Sequence, residues 1–122
     1  MINSSKRKIL VLDDDKIQHL LFRKKVMLLK YEIDCVFFEE ATSALSYIET
    51  SPPDIVFSDI NLHKLDGWQF LEMLKNLSYQ GKFYLLSGSI HPDDRKRAKK
   101  DPSVSGFFEK PIQESDLINI LS

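Results

Sequence analysis

The chain has almost no cysteine: Cys35 is the only one in 122 residues. A single thiol excludes an intrachain disulfide and a cysteine-rich metal site. Set in the apolar run Cys35-Val36-Phe37-Phe38, it reads as a small core residue, and a reducing, cytoplasmic location follows by default. A long apolar run is also missing, so nothing spans a membrane, and residues 1–8 lack the apolar centre of a signal peptide. Charge of one sign is balanced by the other: 17 Lys and Arg face 18 Asp and Glu, for a net charge of -1. No basic field therefore argues for nucleic acid or a membrane surface. Internal repeats, linkers and low-complexity segments are absent as well. What remains is the composition of a soluble globular protein, 43% hydrophobic and 29% charged, in a length that suits one domain. That domain is expected to take up residues 1–122, with an ordered core over 7–121 behind a frayed start at 1–6.

Short apolar runs alternate with helical periodicity along the chain. Lys8-Ile9-Leu10-Val11-Leu12 reads as a buried strand ended by Asp13-Asp14-Asp15. From Lys16 to Lys30, Ile17, Leu20, Leu21, Met27 and Leu28 recur at helical spacing, and Asp15 with Gln18 has capping-box spacing. Residues 32–38 form a second strand and 41–49 a short helix with Ala41, Leu45 and Ile48 on one face, stopped by Ser51-Pro52-Pro53. The third strand, residues 54–58, runs into Asp59 and a polar loop to Asp66-Gly67. A helix with Phe70, Leu71, Leu74 and Leu77 follows, until Tyr79-Gln80-Gly81 breaks it. A fourth strand over 82–86 ends in Ser87-Gly88-Ser89. Residues 91–101 make a helix with Pro92 near its start and Pro102 beyond its end. Residues 105–109 form a fifth strand before Lys110-Pro111, and residues 114–121 the last helix. Trp68, Phe37, Phe38, Phe70 and Phe83 read as core or near-core. Five strands alternating with five helices imply right-handed crossovers and a parallel sheet covered on both faces.

In such a sheet the C-terminal ends of all strands share one edge, where open α/β sheets bind ligands. That edge collects Asp13 and Asp14 from the first strand, Asp59 from the third, Ser87 from the fourth and Lys110 from the fifth. Clustered carboxylates repel and resist ionisation. A divalent cation with Lys110 supplies +3 against the -3 of Asp13, Asp14 and Asp59, and hard oxygen donors suit Mg2+, with Mn2+ as its substitute.

At these positions the sequence resembles the receiver domains of two-component response regulators, over essentially its whole length. The matching pieces are Asp13-Asp14 after Ile9-Leu10-Val11-Leu12, Asp59 in Ile55-Val56-Phe57-Ser58-Asp59, Asp66-Gly67, Ser87 after Leu85-Leu86, and Lys110-Pro111. The resemblance implies a flavodoxin-like (βα)5 fold with strand order 2-1-3-4-5. It implies that Asp59 accepts a phosphoryl group from a phosphohistidine on a sensor histidine kinase or a phosphotransfer protein. Mg2+ would be held by Asp13, Asp14, Asp59 and the backbone carbonyl of Asn61, and Lys110 would pair with a phosphoryl oxygen. Ser87 would bond the phosphoryl group and draw in its loop. Phe107, three residues before the lysine, would move with it to switch the face made by the fourth helix, fifth strand and fifth helix. Phe107 lacks the hydroxyl of a tyrosine and reads equally well as core packing. The Lys110-Pro111 bond is expected to be cis, as in relatives. Asn61 and Ser89 flank the expected phosphoryl position and would govern water access and lifetime.

Two features depart from the family pattern. His63 stands where receivers often carry a proline, which loosens the loop or leaves a titratable side chain by the site. The fourth helix, with Arg95-Lys96-Arg97-Ala98-Lys99-Lys100, has almost no apolar face, and its charges read as a solvated surface. His19 and His91 have no partner spacing for a metal. Three other readings compete. A haloacid-dehalogenase-type phosphatase would use Asp13 as nucleophile in Asp13-Asp14-Asp15, but leaves Asp59 and Asp66-Gly67 without a role. A pseudo-receiver would bind partners without phosphorylation, yet has no physical need for the acidic cluster. A DNA-binding protein lacks a helix-turn-helix segment. If the chain is whole, output runs through contacts with an unknown downstream protein, as a monomer or a phosphorylation-dependent homodimer, with no direct nucleic-acid or membrane contact.

Overall fold

The computed structural model describes residues 6–122, so all but the last residue of the expected frayed start lies outside the described residues. The elements run β1 (Arg7–Leu12), α1 (Lys16–Met27), β2 (Ile33–Phe38), α2 (Ala41–Thr50), β3 (Ile55–Asp59), α3 (Gly67–Asn76), β4 (Lys82–Ser87), α4 (Pro92–Lys100), β5 (Gly106–Glu109) and α5 (Glu114–Leu121). All four pairings are parallel and the strand order is β2-β1-β3-β4-β5, as the resemblance implied. From β1 the chain steps outward to β2, then returns past β1 to β3. The order therefore reverses between β1 and β3, and the crevice at their C-terminal ends is the topological switch point.

Side-chain alternation in the strands builds two cores. Leu10, Leu12, Val56, Phe83 and Leu85 face α2 and α3, where Ala44, Ile48, Phe70, Leu71 and Leu74 close the layer. Their neighbours in sequence, Ile9, Val11, Ile55, Phe57, Tyr84 and Leu86, face the opposite way onto α1 and α5. Period-2 alternation with both faces apolar is what turns the central strands into continuous hydrophobic runs.

The helix expected from Lys16 onward is α1, but the residues that recur at helical spacing lie mostly on its water side: Ile17, Leu20, Met27 and Leu28 are between 53% and 76% exposed, and Leu21 is half-buried. Phe22 and Val26 are the buried ones, against Ile9, Val11 and Phe57. A helix with apolar residues on two faces does not reveal from spacing alone which face meets the sheet. Asp15 caps α1, accepting from the Ile17 amide at 2.9 Å, without the reciprocal Gln18 bond of a capping box. Asp66 and Gln69 do form the full box at α3, with bonds of 2.8 and 2.9 Å.

β3 and β4 each run one residue further than expected from the sequence, to Asp59 and Ser87. Parallel pairing of Asp59 with Leu86 and of Ser87 with Glu109 continues the ladder through these polar residues, because backbone groups at that depth need partners. α4 is regular, with Ala98 its buried residue. Polar ties hold it: the Trp68 indole Nε1 donates to Asp94 at 3.1 Å, the Arg97 guanidinium lies 4.2 Å from the Trp68 ring centre, and Lys75 pairs with Asp101 at 3.3 Å. These bonds replace the apolar face the helix lacks. No helix among the described residues is long and apolar enough to cross a membrane.

Candidate functional site

The register of β1 on β3 places the site. Leu12 pairs with Ser58, so the next residue of each strand, Asp13 and Asp59, stand side by side at the switch point. Backbone bonds fix them there: the Asp13 amide donates to the Phe38 carbonyl of β2 at 3.0 Å, and the Ile60 amide to Leu86 of β4 at 2.9 Å. Lys110 is positioned in the same manner, its amide donating to the Ser87 carbonyl at 2.8 Å. The Lys110-Pro111 bond is cis, as expected.

Four of the expected residues converge. Lys110 Nζ donates to Asp13 Oδ2 at 3.0 Å and to Asp59 Oδ2 at 2.9 Å, with both carboxylates almost wholly buried (Asp13 1%, Asp59 4% exposed). Asp13 Oδ1 accepts from the Asp15 amide at 2.9 Å, and Asp59 Oδ1 from the Asn61 amide at 3.2 Å. Asp13, Asp14 and Asp59 each bring a ligand oxygen within 4.8 Å of the others. Three carboxylates and one ammonium leave a formal charge of -2. Two buried acids that share one lysine, with a third partly open to water, form a hard, anionic donor set that fits a divalent cation.

The site's electrostatics are under strain. Burial pushes the Asp59 carboxyl above its usual range, and the nearby Asp13 charge adds to this; the Lys110 and Asn61 hydrogen bonds act the other way without overcoming it. Burial alone would lower the Lys110 ammonium, but its bonds to Asp59 and Asp13 hold it above the ordinary lysine value. The lysine is thus a firm cation, while Asp59 carries a charge the fold does not fully balance.

The other expected residues lie near but are turned elsewhere. Ser87 is buried at the end of β4, and its Oγ donates to the Ser89 carbonyl at 2.6 Å, tying the β4–α4 loop to itself. Asn61 sits in the β3–α3 loop, which a bridge to Asp66 folds back on itself. Phe107 is half-buried on the α4 side of β5, packed against the core and lining a cavity of about 250 Å3 with Arg95, Ala98, Lys99 and Val104. His63, whose titratable side chain was expected by the site, is an exposed loop residue with its Nδ1 3.5 Å from Asp14 Oδ2. The sequence marked His63 as unusual without showing this partner; the signal was its place in a loop bracketed by Asn61 and Asp66. Cys35 is half-buried, and burial pushes its thiol up to about 12, leaving it inert. A cavity of about 740 Å3 lies at the opposite edge among Pro52, Pro53, Leu77, Tyr79 and Lys82 and has no part in this cluster.

A doubly wound sheet with a buried acid pair and a lysine at its switch point is an α/β domain organised around one anionic edge. The response regulator receiver domain model matches residues 9–122, and the chain belongs to that family of two-component signalling domains. The nitrate/nitrite response regulator protein NarL of Escherichia coli is 27% identical over 125 residues, covering 99% of this chain and 56% of NarL. The transcription factor SKN7 of Candida albicans is 26% identical over 114 residues, which is 93% of this chain and 20% of the relative. The chain thus spans from a fifth to just over half the length of these two curated relatives. Among solved structures, a two component response regulator from Cytophaga hutchinsonii superposes with a TM-score of 0.86 at 21% identity, covering 96% of this chain and 95% of the other. The phosphorylated cyanobacterial phytochrome response regulator RcpA gives 0.77 at 25% identity, covering 96% and 89%. Family membership sets aside the dehalogenase-type phosphatase with Asp13 as nucleophile. It also makes the domain a signalling module.

Proposed function

We propose that the chain is a single receiver unit whose Asp59 accepts a phosphoryl group from a phosphohistidine of a sensor kinase or phosphotransfer protein. The observation that carries this is the lysine bridge: Lys110 Nζ holds Asp59 Oδ2 at 2.9 Å and Asp13 Oδ2 at 3.0 Å. A carboxylate oxygen of Asp59 would form the new O–P bond while the P–N bond of the donor breaks. The bonding pair leaves with the imidazole nitrogen, and an acyl phosphate results. Lys110 is placed to follow a phosphoryl oxygen once Asp59 Oδ2 is engaged. Asp13, Asp14, Asp59 and the Asn61 carbonyl are the groups that would hold Mg2+, or Mn2+ in its place. When bound, that ion supplies neutralisation of the transferring charge. The remaining task of the chain is positioning, which the β1–β3 register and the backbone bonds at Asp13, Ile60 and Lys110 perform.

Two further residues have work in the product state. Ser87 Oγ would leave the Ser89 carbonyl for a phosphoryl oxygen, drawing the β4–α4 loop inward. Phe107, half-buried beside α4, would follow into the space this vacates. Protein partners are supported by α1, whose exposed Ile17 and Leu20 lie within six residues of Asp14 at the rim of the site, with Lys16 and Lys24 beside them. Such a surface suits a helical donor protein with an apolar stripe and acidic flanks.

The test is incubation with acetyl phosphate and Mg2+, read by intact mass. Addition of one phosphoryl group to wild type, absent from Asp59→Asn and from samples with chelator, is the expected result. A wild type that stays unmodified under these conditions and with a competent kinase would leave only the pseudo-receiver reading.

A further inference from the structure

Two polar ties hold α4 beside α3. At the start of the helices Trp68 Nε1 donates to Asp94 Oδ1 at 3.1 Å, and at their ends Lys75 Nζ donates to Asp101 Oδ2 at 3.3 Å. Each tie joins residues 26 apart in sequence, so the stretch between the ties is equally long in both helices. At a rise of about 1.5 Å per residue it measures about 10 Å. A groove of about 530 Å3 opens there, with Lys96, Arg97 and Lys100 exposed along its α4 wall. Phe107 and β5 lie on the other side of α4, where Arg95 and Lys99 line a separate cavity.

The acids that flank the basic run in sequence are engaged elsewhere. Asp94 is taken by Trp68, and Asp101 by Lys75 and by the Ser103 amide at 2.9 Å. No salt bridge among the described residues includes Lys96, Arg97 or Lys100. Arg97 is also held in place, its guanidinium 4.2 Å from the Trp68 ring centre. A guanidinium seated on an aromatic ring keeps its N–H fork for an acceptor. We propose that the α3–α4 groove binds a short acidic segment of a partner protein, whose carboxylates meet Lys96, Arg97 and Lys100. An extended chain covers about 10 Å in about three residues, so two or three neighbouring acids match the cations on offer. A nucleic acid fits less well. Duplex DNA carries a charge every 1.7 Å or so and would run on past both ties. It would then meet Asp93 in the groove wall and Glu72 beside Lys75. The groove and its cations are present without any change at Asp59, so the proposal stands apart from the phosphoacceptor reading.

Trp68 is the only tryptophan, and with Arg97 against its ring its emission reports on the groove. Titration of the full chain with octaglutamate at low ionic strength should change that emission saturably, while octaglutamine leaves it unchanged. As a second reading, backbone amide resonances of α3 and α4 should shift together with the emission. Lys96→Gln combined with Lys100→Gln should weaken binding at least about fivefold. Arg95→Gln combined with Lys99→Gln removes the same charge from the β5 side and should leave affinity within about twofold. All four positions are exposed, so both double variants should keep the wild-type circular dichroism spectrum. Equal weakening by the two pairs would reduce the effect to general charge attraction and overturn the proposal. Emission and amide signals that both ignore octaglutamate would overturn it too. Tighter binding of an oligodeoxythymidylate of equal charge through Lys96 and Lys100 would overturn the choice of an acidic protein segment.

Discussion

Replacing Asp59 by asparagine keeps the size of a side chain that is 4% exposed and deletes its charge, leaving Lys110 paired with Asp13. The fold disfavours that charge, since burial and the Asp13 carboxylate raise the Asp59 carboxyl against the pull of Lys110 and the Asn61 amide. A carboxyl with a folded pKa above its unfolded value of about 3.9 costs stability when ionised. The cost is absent below the unfolded value, grows as pH rises between the two, and is complete above the folded one. Removing a buried charge that its surroundings do not fully compensate is a gain, and the lost Lys110 bond offsets part of it. Asp59→Asn should therefore stabilise the metal-free protein by about 1–2 kcal/mol at neutral pH. For a chain of this size that is a rise in Tm of about 3–8 °C. Thermal unfolding in chelator, followed by circular dichroism, is the assay, repeated at acid pH where the gap should close. Saturating Mg2+ at about 100 times its Kd should add about 2.7 kcal/mol to wild type and much less to the variant. An Asp59→Asn protein that melts at or below wild type in chelator at neutral pH would refute the reasoning. So would a gap that persists in acid.

Lys110→Ala works in the opposite sense, leaving Asp13 and Asp59 buried without their cation; chemical denaturation should show a loss of about 3–5 kcal/mol in chelator. At Gly67 an added Cβ would lie 2.7 Å from the Asp59 carbonyl oxygen, so Gly67→Ala should cost about 1–3 kcal/mol and slow acetyl phosphate labelling as the Asp59 loop is displaced. Asp94→Ala leaves the Trp68 N–H without its partner; tryptophan emission should shift to the red and acrylamide quenching increase as α4 loosens, with a stability loss of about 1–3 kcal/mol. Ile17→Asp should weaken phosphoryl transfer from the cognate donor protein while acetyl phosphate labels it at the wild-type rate, because Ile17 is 66% exposed and outside the acid cluster.

The sheet, its order and the edge where the acids gather were legible because their causes are local. Runs such as Ile9-Leu10-Val11-Leu12 and Ile55-Val56-Phe57 are apolar on both faces and are followed within two residues by an acid, which is how a buried parallel strand looks in sequence. Asp13, Asp14, Asp59 and Lys110 follow from that placement alone. The choice of buried face on α1 was not legible, since Phe22 and Val26 compete with Ile17, Leu20 and Met27 and only the shape of β1 and β3 decides between them. The last residues of β3 and β4 were missed for a related reason: Asp59 and Ser87 are polar side chains held in strands by backbone pairing that leaves no mark in side-chain pattern. His63 stood out only as an exception, because a contact between two loops has no periodicity to announce it.

Lys110 comes 97 residues after Asp13 and 51 after Asp59. During synthesis the acids at the ends of β1 and β3 are therefore made long before their counter-ion. A nascent chain that has already paired those two strands holds its carboxylates together with nothing positive between them. Closure of that pair is opposed until β5, only four residues long and at the rim of the sheet, delivers the lysine. The shortest strand thus gains a docking force that its few backbone bonds do not provide. The cation that bridges Asp13 and Asp59 thus also acts as the clasp that completes folding, so losing it should delay maturation of the chain.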